Sequence, residues 1–199
     1  WGLGRAARIE QASLSLTMLD VGEDPPSAAR WSAILQSSRE PELSLRGGLL
    51  WSPRLVRAAP AAASQRRTGK EQTVLLTGAF GGLGRQVARW LVQERGVQHL
   101  LLTRRPGLAS PAVASLTQEL CALGAEVQVA PCDVADREAL AAVLRAIPPE
   151  RPLRGIIHAA GVLDDGLLAL LTPERLARVL SPKIDGAYNL HTLTADEPL

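Results

Sequence analysis

The chain has 199 residues, 46% of them apolar and 21% charged, with a formal net charge of +2. That is the make-up of one ordinary globular domain, or one domain with a piece of another. Its arginines are scattered rather than gathered in a block, which argues against a nucleic-acid footprint. No apolar run reaches the ~20 residues of a membrane span, and residues 1–30 lack a signal-peptide pattern, so the chain reads as cytoplasmic. Aromatics are 3% of the residues, which leaves Leu, Val, Ala and Ile to fill the core. Cys121 and Cys132 form no CxxC and have no His partner at ligand spacing, so no metal site is expected. Each falls in an apolar stretch and reads as a buried, inert small hydrophobe.

In chain order, Leu14–Asp20 alternates like a strand, and "GEDPPS" follows as a loop. Ser27 then stands as N-cap of a helix over Ala28–Ser38. Glu42–Arg46 and Leu49–Val56 flank Gly47-Gly48, a hairpin signal. These elements are too few to enclose a core, so residues 1–60 read as part of a larger subdomain. The small, polar and basic run Ala58–Lys70 marks a linker, bounded at 61–72.

Thereafter the rhythm is strand, helix, strand. Strands are expected at Thr73–Thr77, His99–Thr103, Glu126–Ala130 and Leu153–Ile157. Helices are expected at Gly82–Glu94, Pro111–Leu123, Arg137–Ile147 and Pro173–His191. The first of these helices places Leu83, Val87, Trp90 and Leu91 on one face. Such alternation with short loops means an α/β fold with a Rossmann-like, doubly wound parallel sheet.

"TGAFGGLG", residues 77–84, joins the first of these strands to its helix. Gly78 suits a tight turn, Gly81 lets backbone N–H groups approach a pyrophosphate, and Gly84 lets the helix pack closely. The helix N-terminus adds partial positive charge. Thr77, Gly78, Phe80, Gly81, Gly82, Leu83 and Gly84 are therefore candidate cofactor-binding residues, the alternative being a glycine-rich turn that binds nothing. NAD enzymes usually place an acid at the end of the next strand. Here that strand ends in Thr103, Arg104 and Arg105, with no carboxylate. A guanidinium there could pair with a 2′-phosphate, which favours NADPH, while two solvated loop arginines are the plain alternative. After the third strand, "CDVAD" puts Asp133 and Val134 at the expected adenine edge, unless Asp133 or Asp136 simply caps the next helix.

"TVLLTGAFGGLG", "HLLLTRRPG", "LGAEVQVAPCDVADREAL", "PLRGIIHAAGVLDDG" and "LTPERLARVLSPKIDGAYNL" together resemble, in order, the ketoreductase domain of modular polyketide synthases. That family is related to the short-chain dehydrogenases. Residues 1–60, with "WGLGRAARIE" and "ELSLRGGLLWSPRLVR", look like the end of its truncated Rossmann-like structural subdomain. The resemblance implies an NADPH-binding part of the catalytic subdomain at 73–199. It also implies reduction of a β-ketoacyl chain held by phosphopantetheine on an acyl carrier protein, among neighbouring synthase domains. By the same resemblance Ala159, Ala160 and Gly161 run along the cofactor. Leu163, Asp164 and Asp165 match the fingerprint of reductases giving the D-alcohol (B-type), though read bare they are an acidic turn. Lys183 matches the active-site lysine, where the bland reading is a solvated helix charge.

Two departures stand out. The family's loop is richer in glycine and hydroxyl residues where this chain has Ala79 and Phe80, and Phe80 could narrow the loop or slide against the cofactor. The family's serine and tyrosine have no matching position within these residues, so the resemblance places them beyond Leu199 and implies that residues 1–199 alone do not turn over. Tyr188, the only tyrosine, reads as a packing residue. Rival readings are a non-catalytic structural ketoreductase that organises neighbouring domains, and a sugar-nucleotide epimerase or dehydratase. The missing acid after the second strand weakens the latter.

Overall fold

The computed structural model describes residues 1–22, 26–37, 40–59, 71–107 and 111–199, so most of the expected linker at 61–72 lies outside the described residues. The chain divides into two compact units, Trp1–Ala63 with Gly166–Leu170, and Ser64–Asp165 with Leu171–Leu199.

In the first unit, helix α1 (Gly2–Glu10) is followed by strand β1 (Met18–Val21), helix α2 (Ala28–Ser37), and strands β2 (Glu42–Arg46) and β3 (Leu49–Trp51). β1 and β2 are parallel, with α2 as their crossover, and β2 turns back into β3. The turn works because Gly47 and Gly48 adopt φ of 55° and 75°, the left-handed pair a two-residue hairpin needs. Ile34, Leu43 and Leu45 are its buried core, with Leu19 against them. The sequence reading missed α1 altogether. Gly2 and Gly4 weaken its helical signal, none of its residues is buried, and no side chain caps it. Its anchor is long-range: Arg5 donates through Nε and Nη2 to both oxygens of Glu42, each at 2.7 Å. β1 also starts later than the alternation suggests, because its ladder with β2 begins only at Met18. β3 stops at Trp51, just before Pro53, which has no N–H to extend a ladder.

The second unit holds strands β4 (Thr73–Thr77), β5 (His99–Arg104), β6 (Glu126–Pro131) and β7 (Leu153–His158). They form one parallel sheet in the order β6-β5-β4-β7. Helices α3 (Gly82–Gln93), α4 (Pro111–Ala122), α5 (Arg137–Arg145) and α6 (Pro173–Leu193) cover it. Successive strand residues point to opposite faces. Val74, Leu76, Leu100 and Leu102 accordingly pack with Ala88, Leu91, Leu116 and Leu120 of α3 and α4. Leu75 and Leu101 pack on the other side with Leu140 of α5 and Leu190 of α6. Helices on both faces of a parallel sheet are the doubly wound α/β arrangement that the sequence implied.

Three expectations about side chains are corrected. α3 buries Gly84, Ala88, Leu91 and Val92, while Leu83 and Trp90 are 82% and 47% exposed. Of the expected face, Leu91 is buried and Val87 packs against the core, while Gly84 and Ala88 take the close approach expected of Leu83 and Trp90. Cys121 is exposed and only Cys132 is buried. α4 buries Leu116 and Leu120, and the position after Leu120 turns ~100° away. Tyr188 is 65% exposed rather than packed, because α6 turns Gly186, Asn189 and Leu190 inward instead.

Candidate functional site

The strand order reverses at β4, with β5 and β6 on one side and β7 on the other. In open parallel sheets that switch point, at the carboxyl ends of the strands, leaves a crevice. A cavity of about 460 Å³ lies there, lined by Gly78, Phe80 and Gly81 after β4, Thr103, Arg104 and Arg105 at the end of β5, Cys132–Val134 after β6, and Ala159–Val162 after β7. α6 contributes Arg178, Ser181 and Pro182 to the same wall.

The loop after β4 is built by glycine. Gly78 has φ of 68°, and a Cβ there would stand 2.5 Å from the Ala159 carbonyl. Gly81 N donates to Gly78 O at 3.1 Å, closing the turn into α3. No side chain caps α3, which leaves its first-turn N–H groups open to an acceptor from outside. Space lies free around Gly82, whereas a Cβ on Gly84 would meet Gly78 O at 2.1 Å and Ala79 Cα at 2.7 Å. Gly84→Ala is therefore expected to cost about 1–3 kcal/mol by overpacking against backbone, while Gly82→Ala stays within about 0.5 kcal/mol; urea unfolding of both compares them.

Arg104 is the last residue of β5, and Cys132 N donates to its carbonyl at 2.7 Å. Among the described residues neither Arg104 nor Arg105 has an ion-pair partner. Asp133 does not cap α5. Its Oδ1 accepts from Ala135 N at 3.0 Å, and Asp136 is the cap, accepting from Ala139 N at 3.0 Å. Asn189, which no sequence signal marked, donates to Val134 O and Ala135 O at 3.1 and 3.0 Å and holds this loop against α6. Burial, together with Asp133 and Asp136, pushes the Cys132 thiol up to about 11, so it stays protonated at neutral pH.

Of the remaining candidates, Phe80 lines the cavity, whereas Thr77, Gly82, Leu83 and Lys183 lie round it. Thr77 is fully buried. Gly82 and Leu83 are on the first turn of α3, and the Leu83 side chain is exposed. Phe80 lines the cavity and also packs against the core under α3 and α4. Lys183 is exposed on α6, with its Cε 3.6 Å from where a Cβ on Gly161 would stand.

Leu163 and Asp165 are exposed, but Asp164 is clamped to α6. Its Oδ1 accepts from Arg175 Nη2 at 2.7 Å and from Nε at 3.1 Å, and its Oδ2 accepts from Arg178. These guanidiniums hold the carboxyl down to about 2. A carboxylate so depressed contributes stability above its unfolded value of ~3.9 and loses it as pH falls through the folded value. The stability difference between wild type and Asp164→Asn should therefore be constant from neutral pH to about pH 5, and its pH-dependent part should fall away between about pH 5 and pH 1, read by urea unfolding across that range.

Residues 72–199 match the KR domain family. The chain belongs to that family, the ketoreductase domains of polyketide synthases. It is 48% identical over 196 residues to the Spectinabilin polyketide synthase system protein NorA' of Streptomyces orinoci, covering 98% of this chain and 5% of that protein. It is 48% identical over 201 residues to Polyketide synthase GfsB of Streptomyces halstedii, covering 100% of this chain and 4% of that one. Among solved structures it is similar to an A-type ketoreductase from a modular polyketide synthase, with a TM-score of 0.88 and 41% identity. The match covers 100% of this chain and 43% of that one, so the chain spans less than half of the solved ketoreductase it resembles.

Proposed function

We propose that this ketoreductase chain binds NADPH and serves the reduction of a β-ketoacyl chain, carried by phosphopantetheine on an acyl carrier protein, to the β-hydroxyacyl chain. One observation carries the reading: a cavity at the sheet's switch point, floored by a glycine turn that tolerates no side chain at Gly78, is also lined by Arg104 at the end of β5 and Arg105 after it, neither with an ion-pair partner among the described residues. The open N–H groups of α3 suit a pyrophosphate, and Arg104, or Arg105 beside it, suits a 2′-phosphate. Asp133 offers its second carboxylate oxygen to an adenine amine, and Ala159, Ala160 and Gly161 give the cofactor a wall without bulky side chains. Bound there, NADPH supplies the hydride that reduces the ketone. Lys183, beside Gly161, is positioned to reach ribose hydroxyls and to lower the pKa of a nearby phenol. The neighbouring synthase domains and the carrier protein are its partners in this reading, and the setting is cytoplasmic.

Leu163, Asp164 and Asp165 favour the D-alcohol, although the similar solved structure is A-type; a shared fold does not set the side from which a substrate enters. The test uses the intact ketoreductase domain that contains this chain, with NADPH and a carrier-bound β-ketoacyl thioester, and chiral chromatography of the product. A predominantly D-hydroxyl product is expected. A predominantly L product would separate the fingerprint from the stereochemistry. Absence of any turnover would favour a structural ketoreductase that organises its neighbours.

A further inference from the structure

Thr77, His158 and Pro182 stand on three different elements and are joined by one directional chain of hydrogen bonds. His158 Nε2 is 2.8 Å from Pro182 O, and its Nδ1 is 2.7 Å from Thr77 Oγ1. A carbonyl can only accept, so Nε2 carries the proton. In the neutral ring Nδ1 is then an acceptor, and the Thr77 hydroxyl donates to it. The lone pair left on Thr77 Oγ1 accepts from Ala160 N at 3.2 Å. Every polar group in the chain is satisfied in this one arrangement, with Thr77 fully buried.

The same face of α6 continues the contact. Gly186 lets the helix close on the ring: a Cβ there would lie 3.5 Å from His158 Cε1 and 2.8 Å from Val134 Cγ2. Asn189 then holds Val134 and Ala135. Pro182, Gly186 and Asn189 follow at i, i+4 and i+7, one stripe of a helix. This stripe fixes the rotation and height of α6 against the cavity. Lys183 follows Pro182 and is turned ~100° from it, so that rotation brings its stem beside Gly161.

We infer that His158, locked as its Nε2–H tautomer, is a positioning residue that sets Lys183 relative to the cofactor loops. Thr77, for which the sequence suggested cofactor contact, acts through this bridge instead. The inference rests on the proposed NADPH site for its consequence, but not for its geometry.

The test uses the intact ketoreductase domain. Nitrogen NMR of the His158 ring should show Nε2 protonated and Nδ1 bare, with Nδ1 displaced by Thr77→Val and returned by Thr77→Ser. His158→Leu and Thr77→Val should each lower kcat roughly ten-fold, with Thr77→Ser near wild type. In a Lys183→Ala background, His158→Leu should add less than about two-fold, because the ring acts through the lysine. If the domain reduces no β-ketoacyl thioester, the same cycle is read on the NADPH dissociation constant, so failure of the reductase reading and failure of the bridge give different results. A proton on Nδ1 instead of Nε2, or full additivity of His158→Leu with Lys183→Ala, would overturn the inference.

Discussion

Titration of the Arg104→Ala ketoreductase domain is expected to show NADPH affinity roughly ten- to a hundred-fold below wild type, with NADH affinity nearly unchanged. Losing a charge-assisted bidentate contact costs about 1.5–3 kcal/mol, which is that range. Arg104 is the stronger candidate of the two arginines because the strand holds its backbone: it pairs with Pro131 across the ladder, and Cys132 N bonds its carbonyl. Arg105 begins the loop and is exposed, so it loses more conformational freedom on binding. Fluorescence titration with both cofactors separates the outcomes. An unchanged NADPH to NADH ratio in Arg104→Ala, with a fall in Arg105→Ala, would move the phosphate contact one residue along. No change in either variant would remove it from β5.

A larger effect is expected for the polypeptide of residues 1–199 tested by itself, which should reduce a β-ketoacyl thioester at no measurable enzymatic rate. Hydride delivery builds negative charge on the ketone oxygen, so the transition state needs a proton donor and hydrogen bonds aimed there. Tyr188 is exposed and lies outside the lining of the cavity. Of the groups that do line it, the Cys132 thiol is buried and pushed up to about 11, and Ser181 carries an aliphatic hydroxyl, a far weaker acid than a phenol. A positioned acid contributes about 10²–10⁴-fold, and each missing oxyanion donor about 10²–10³-fold. NADPH absorbance would be followed for this polypeptide and for one extended through the family's serine and tyrosine, with circular dichroism showing that both are folded. Equal turnover by the two would mean that the acid lies within these residues, with Tyr188 the first to replace.

Signals carried by adjacent residues were legible in the sequence. The buried apolar run Thr73–Thr77, the glycine spacing from Gly78 to Gly84, the hairpin turn at Gly47 and Gly48, and the capping alternative at Asp136 are local properties, and local sterics and hydrogen bonding decide them. The alternation of strand and helix then implied a parallel sheet, and with it a crevice where the loops after β4, β5, β6 and β7 converge. What each helix face meets was decided only by the assembled structure. The period of α3 pointed to Leu83 and Trp90, yet the close approach at Gly84 and Ala88 turned those large side chains outward. Cys121 and Tyr188 were misjudged for the same reason, since apolar composition does not say which side of a helix is covered. The Asp164 clamp, the Asn189 contact and the chain from Thr77 through His158 to Pro182 join residues 11, 14, 54, 55, 81 and 24 positions apart. Such pairs leave no periodic trace: the β4–β7 ladder brings Thr77 to His158, and the docking of α6 brings the other partners within hydrogen-bond reach.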